Sequence, residues 1–194
     1  MATVIDAPVG NLTYEAYMAE PQVEGRYDII NGVRIFMPGA TFRHQRISKN
    51  LTNLLTAFEE ESGLGLLIPA PFDVLIRRIP KMQTRQPDLL FLSHTRAAQG
   101  GGIPENGALE VAPELVIEII SNSETHRILG DKIADYTVIG VEECWVIRPE
   151  TRTVELLEPN RSGDQRVVVF EGTMPLTSRV FSNLSLPLSR VFKP

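Results

Sequence analysis

Apolar positions recur at helical spacing over residues 42–61, where Ile47, Leu51, Leu54, Leu55 and Phe58 share one face and Gly63 stands at the stop. A second stripe, Leu129, Ile133 and Tyr136, predicts a helix over about 124–139, opened by 121–123 and closed by Gly140. Asn11 or Thr13 can cap a short helix to about Met18, ended by Pro21. Elsewhere the period shortens. Residues 26–37 predict a β-hairpin around Asn31-Gly32, a pair that tolerates the positive φ angles of a tight turn. Apolar runs at 64–68 and 71–76, broken by Pro69, and at 87–92 predict strands, and 99–107 a Gly-rich, mobile loop. Residues 114–120 form the most apolar strand, and 144–147, 153–157 and 166–170 add three more, the first two joined by a turn at 149–152. The order helix, three strands, helix, strand predicts an α/β fold, one mixed sheet with helices packed on it.

There is no internal repeat, low-complexity tract or linker, and 194 residues suit one domain, 1–194. Hydrophobic residues at 43% and charged residues at 22% exclude disordered and fibrous classes. The single cysteine, Cys144, suits a reducing cytosol, and neither a leader-like start nor an apolar span of about 20 residues is present. The expectation is a cytoplasmic protein without a membrane partner. A net charge of −5 argues against a module that grips DNA by phosphate neutralisation alone. It is compatible with an enzyme that gathers carboxylates around metal ions, because the ions reverse the local field.

Carboxylates interrupt the apolar strands. Glu118 lies within Leu115-Val116-Ile117-Glu118-Ile119-Ile120 and by alternation shares a face with Val116 and Ile120. A buried carboxylate there needs a partner or a metal. Asp88 opens Asp88-Leu89-Leu90-Phe91-Leu92, and Asp73 interrupts Phe72-Asp73-Val74-Leu75-Ile76. Paired strands lie about 4.8 Å apart, so acids on neighbouring strands can share one ion; three of them suggest an oxygen-rich site, not a zinc site. Taken alone, Asp73 also fits a turn or edge position and Asp88 a strand start. Lys132 sits at the margin of the second helix's apolar stripe, from which it can aim at the strand carboxylates or snorkel to solvent. Cys144 and Trp145 read as core strand residues.

Gln86-Pro87-Asp88-Leu89-Leu90-Phe91, followed by 113–121 centred on Glu118, resembles the PD-(D/E)xK nuclease superfamily. More closely it resembles the Uma-two family of restriction endonucleases. Tyr27-Asp28-Ile29-Ile30-Asn31-Gly32, Arg43-His44-Gln45-Arg46-Ile47, Pro69-Ala70-Pro71-Phe72-Asp73-Val74, Gly130-Asp131-Lys132 through Tyr136, Gly140-Val141 and Trp145-Val146 agree, so the likeness spans about 12–160, with 161–194 as C-terminal strands and tail. The resemblance implies a restriction-endonuclease-like core, a central mixed β-sheet flanked by helices, with an N-terminal β-hairpin. It implies magnesium (or manganese in its place) held by Asp88 and Glu118, with Asp73 a further ligand or supporting acid. The motif's lysine position is Ile120 here, which makes Lys132 the lysine supplied from the following helix. His44 and Gln45 fall where the family has a polar pair that can line the site. Three departures, Ile128 and Arg148 in place of aspartates and Asp28 in place of a glutamate, put support around the ligands in question.

The leading expectation is a magnesium-dependent endonuclease acting on DNA phosphodiester bonds, with Asp88, Glu118 and Lys132 catalytic. A homodimer would suit duplex cutting. The rivals are a non-catalytic nucleic-acid- or protein-binding member of the same fold, and a hydrolase of small phosphodiesters.

Overall fold

The computed structural model describes residues 11–20, 23–121, 125–159 and 165–194. Thr13 caps α1 (Tyr14–Ala19) by accepting from the Ala16 N–H. β1 (Tyr27–Ile30) and β2 (Val33–Phe36) form the expected hairpin, with Asn31 and Gly32 at φ 51° and 76°. α2 (Phe42–Ser62) is capped by Thr41 and ends at Gly63, which is left-handed at φ 61°.

The middle of the chain is built from short strands: β3 (Gly65–Pro69), β4 (Val74–Arg77), β5 (Gln83–Arg85) and β6 (Leu89–Ser93). Ser93 then caps α3 (His94–Gln99), which occupies the stretch just before the glycine-rich loop. β7 (Leu115–Ile119) is buried throughout. The second long helix, α4 (His126–Ile139), is capped by Thr125; its expected opening at 121–123 falls partly outside the described residues. β8 (Glu143–Arg148), β9 (Thr153–Glu158) and β10 (Arg166–Phe170) follow, then β11 (Pro175–Leu176), β12 (Leu186–Pro187) and α5 (Leu188–Val191).

Six strands make the mixed central sheet, in the order β10-β9-β8-β7-β6-β3, with β7 parallel to β8 and the other pairs antiparallel. The pleat divides its side chains between two layers. Leu89, Phe91, Leu115, Ile117 and Ile119 join Ile47, Leu51 and Leu55 of α2 on one face, which the C-terminal Leu176, Phe181, Leu186 and Val191 help to cover. Leu90, Leu92, Val116 and Val146 meet Ile133 and Tyr136 of α4 on the other.

The expectation of a single sheet is corrected by a second, four-stranded antiparallel sheet, β2-β1-β5-β4. It has its own small core of Tyr27, Ile29 and Met82, packed with Leu12, Tyr14 and Tyr17 from around α1. β5 is the strand that joins the hairpin to β4, and its buried residues, Gln83, Thr84 and Arg85, are all polar. A hydrophobic pattern cannot reveal such a strand. Cys144 and Trp145 are core residues, as expected. No helix among the described residues is long and apolar enough to cross a membrane.

Candidate active site

β6 and β7 run antiparallel with Leu89 opposite Ile117. One position further out, the same register sets Asp88 beside Glu118, and Glu118 points to α4 while Asp88 reaches the first turn of α2. Asp88 is 4% exposed and Glu118 2%. Burying two carboxylates costs several kcal/mol unless each is compensated, and here each oxygen has a donor. Glu118 Oε2 accepts from Lys132 Nζ at 2.8 Å and Oε1 from the Tyr136 hydroxyl at 2.6 Å. Lys132 and Tyr136 are one helical turn apart on α4, so a single face of that helix holds both oxygens. Lys132 is 5% exposed, which decides against a snorkelling surface lysine.

Asp88 Oδ2 accepts from the Ile119 backbone N–H at 2.7 Å, and Oδ1 from Arg26 Nη1 at 2.5 Å. His44 Nε2, from the first turn of α2, stands 3.2 Å from the carboxylate. Burial alone would push the Asp88 carboxyl up. The His44 hydrogen bond, the Arg26 charge and the Ile119 N–H outweigh it and hold the group below the usual carboxylate range. Tyr136 is pushed well up by burial and by the Glu118 charge beside it, so it acts as a hydrogen-bond donor.

These groups open on one cavity of about 290 Å³, lined by Arg26, His44, Asp88, Glu118 and Lys132 and rimmed by the 37–41 loop. The structure thus brings together four of the expected residues: Asp88, Glu118, Lys132 and His44. Gln45 is exposed on α2 and does not line the cavity. Asp73 lies elsewhere, in a separate cleft of about 500 Å³ with Tyr17, Tyr27, Arg34 and Gln86. It precedes β4 in the second sheet, which the single-sheet reading could not foresee. Tyr17 donates to Asp73 at 2.6 Å and Tyr27 at 3.4 Å. Burial drives the Asp73 carboxyl above its ordinary value despite these bonds. Burial first and then the Asp73 charge push the Tyr27 hydroxyl up to about 12.

The sequence reading missed Arg26 and Tyr136 as site residues. Tyr136 was discoverable, since it sits four residues after Lys132 on the same helix. Arg26 carries no sequence signal, because only the second sheet brings it to Asp88. The departures from the family pattern are resolved by position. Asp28 Oδ2 accepts from Arg85 Nη1 at 2.8 Å and its Oδ1 from the Gln86 N–H at 3.0 Å, so the shorter acid is fully engaged. Arg85 continues to Asp135 on α4, tying the 86–88 segment to the helix that carries Lys132. Arg148 pairs with Glu155 on β9, and Ile128 is exposed; neither lines the cavity.

Among the described residues no three of His, Cys, Asp and Glu cluster as a metal cage, so the expected three-acid grouping is not realised. The donor set nevertheless fits magnesium. That ion is commonly held by one or two carboxylates, with waters and substrate phosphate oxygens completing its shell. Asp88 and Glu118 supply such a pair beside an open cavity.

The Uma2 family, described as "Putative restriction endonuclease", matches residues 14–189. The chain belongs to the Uma2 family. A solved structure from Anabaena variabilis ATCC 29413, described as a putative nuclease belonging to DUF820, is similar to it at 19% identity. The match covers 93% of this chain and 97% of that one, with a TM-score of 0.74. At that identity the likeness establishes the fold, an α/β core with a mixed central sheet. No curated protein matches the chain. As a family, Uma2 places this protein among nucleases at the coarse level its description gives.

Proposed function

We propose that this Uma2 protein is a magnesium-dependent endonuclease that hydrolyses DNA phosphodiester bonds. The observation that carries the reading is the cavity shared by the Asp88 and Glu118 carboxylates and the Lys132 ammonium. Asp88 and Glu118 would hold the ion, which when bound polarises the scissile phosphate and lowers the pKa of an attacking water. Lys132 is positioned to offset negative charge gathering on the phosphoryl oxygens, in a site where burial strengthens that interaction. Tyr136 fixes the orientation of Glu118, while the Ile119 N–H and His44 fix that of Asp88. Preorganisation of this kind spares the site a rearrangement during reaction. The net charge of −5 leaves no basic excess to recruit DNA at long range, so the local charge of the site must do more of the binding. A homodimer, offering one site to each strand, is part of this reading.

The test is nicking of supercoiled plasmid with magnesium, with a chelator, and with Glu118→Gln in place of the wild type. Cleavage that needs both the metal and Glu118 supports the reading. Nicking that survives the chelator or the substitution removes it. A second reading, a non-catalytic member of the fold, is favoured by one observation: all four carboxylate oxygens are already satisfied by protein donors. It expects wild type and Glu118→Gln alike to leave the plasmid intact.

A further inference from the structure

Arg26 stands out among the cavity residues because its partners differ in kind. Its Nη2 donates to the Gln86 carbonyl oxygen at 2.8 Å, a backbone anchor that substrate or cation need not disturb. Its Nη1 donates to Asp88 Oδ1 at 2.5 Å. Oδ1 is the Asp88 oxygen that the β7 backbone leaves free, since the Ile119 N–H binds Oδ2. A cation using Asp88 therefore competes with this guanidinium.

Charge sharpens the competition. Leaving His44 out of the count, the charged side chains lining the cavity among the described residues are two acids, Asp88 and Glu118, and two bases, Arg26 and Lys132. These four charges balance. A divalent cation entering alone unbalances them and must displace a base from an acid. A cation entering with a phosphodiester does not suffer the same penalty, because the phosphate supplies negative charge and acceptor oxygens for the displaced guanidinium. Arg26 is equipped for the exchange: its side chain is 29% exposed against 5% for Asp88, and its fork can keep the Gln86 bond on one nitrogen while the other changes partner.

We infer that Arg26 couples the binding of the divalent cation to that of the phosphodiester, closing Asp88 Oδ1 in the substrate-free protein and moving to a phosphate oxygen when the cation takes its place. The inference rests on the reading of Asp88 and Glu118 as cation ligands. By linkage the coupling is reciprocal: duplex tightens the cation by the same factor by which the cation tightens duplex.

The experiment follows free Mn²⁺ by its EPR signal during titration of wild type, Arg26→Met and Asp88→Asn, with and without a short DNA duplex. Thermal melts check that each variant is folded. Wild type is expected to bind Mn²⁺ more tightly with duplex present. Arg26→Met is expected to bind Mn²⁺ alone roughly tenfold more tightly than wild type, the effect of deleting a charge-assisted hydrogen bond that competes for the ligand. Its gain on adding duplex should be smaller than that of wild type. Equal or weaker binding of Mn²⁺ alone by Arg26→Met, or an undiminished gain from duplex, overturns the coupling while leaving the metal site standing. If wild type binds no Mn²⁺ even with duplex, or Asp88→Asn binds as well as wild type, the metal reading itself fails. Should Arg26→Met not fold, Arg26→Lys replaces it. The shorter reach of a point ammonium cannot bridge Gln86 and Asp88 as the fork does, so Mn²⁺ alone should bind more tightly than to wild type, and equality overturns the proposal.

Discussion

Lys132 Nζ lies 2.8 Å from Glu118 Oε2 although the lysine follows the acid by fourteen residues. In the linear motif the lysine would stand at Ile120, just past the end of the same strand. Here α4 crosses back over the sheet and delivers the ammonium from above. With both groups buried, neither tolerates loss of the other. Lys132→Met should lower stability by about 3 kcal/mol, the cost of removing one member of a buried ion pair, and should abolish plasmid nicking. The double variant Lys132→Met/Glu118→Gln should recover most of the stability and none of the activity. Urea unfolding of the four proteins measures the coupling, and a double variant no more stable than Lys132→Met would show that Glu118 is not the partner that matters.

Tyr136→Phe separates orientation from charge. The ring stays packed in the α4 layer, but Glu118 Oε1 loses the hydroxyl that binds it at 2.6 Å. Removing one hydrogen bond from a buried carboxylate costs about 1–3 kcal/mol. The expected outcome is that much destabilisation, with cleavage reduced less than by Lys132→Met. Cleavage lost as completely as in the lysine variant would give Tyr136 a larger part than orienting the acid.

Two glycines two residues apart make a contrast in backbone terms. A Cβ on Gly65 would meet the Leu92 carbonyl oxygen at 2.3 Å and Ser93 Cα at 2.6 Å, both backbone atoms of the neighbouring strand. A Cβ on Gly63 meets nothing within 4 Å, so its cost is only that of holding alanine at φ 61°. Gly63→Ala should lose about 1 kcal/mol. Gly65→Ala should lose more, about 3 kcal/mol, through separation of β3 from β6. Thermal denaturation ranks them, and the reverse order would contradict the close packing of that pair.

Asp73 supplies a pH signature. Its folded carboxyl is raised by burial above the ordinary value, which is about 3.9. The folded protein therefore binds this proton more tightly than the unfolded chain, and stability falls as pH rises between the two values. Asp73→Asn lacks that loss. Raising the pH from 3 toward neutrality should shift the difference in Tm in favour of the variant. A shift in favour of wild type would mean that the Tyr17 and Tyr27 hydroxyls outweigh the burial.

What the sequence could show follows from what periodicity measures. The stripe of α2, the run of β7 and the Asn31-Gly32 turn each carry a local signal, and each forms where expected. Glu118 was conspicuous for the same reason, as a charge inside an apolar strand. β5 was invisible because its three buried residues, Gln83, Thr84 and Arg85, are polar, and Gln83 and Arg85 are held there by bonds to Asp135. With β5 hidden, the second sheet was hidden too, and the positions of Asp73 and Arg26 depend on that sheet. α3, six residues long, offers too few turns for a stripe.

β7 and β8 form the one parallel ladder among the described strands. Antiparallel neighbours can pair across a tight turn, but parallel ones need a crossover, here α4. β8 reaches its place beside β7 only after the chain has travelled back along this helix. Glu118 lies on the strand before the crossover and Lys132 on the crossover itself. Acid and base are thus carried by one strand–helix–strand unit, and on the proposed reading the site depends on the crossover that makes this ladder possible.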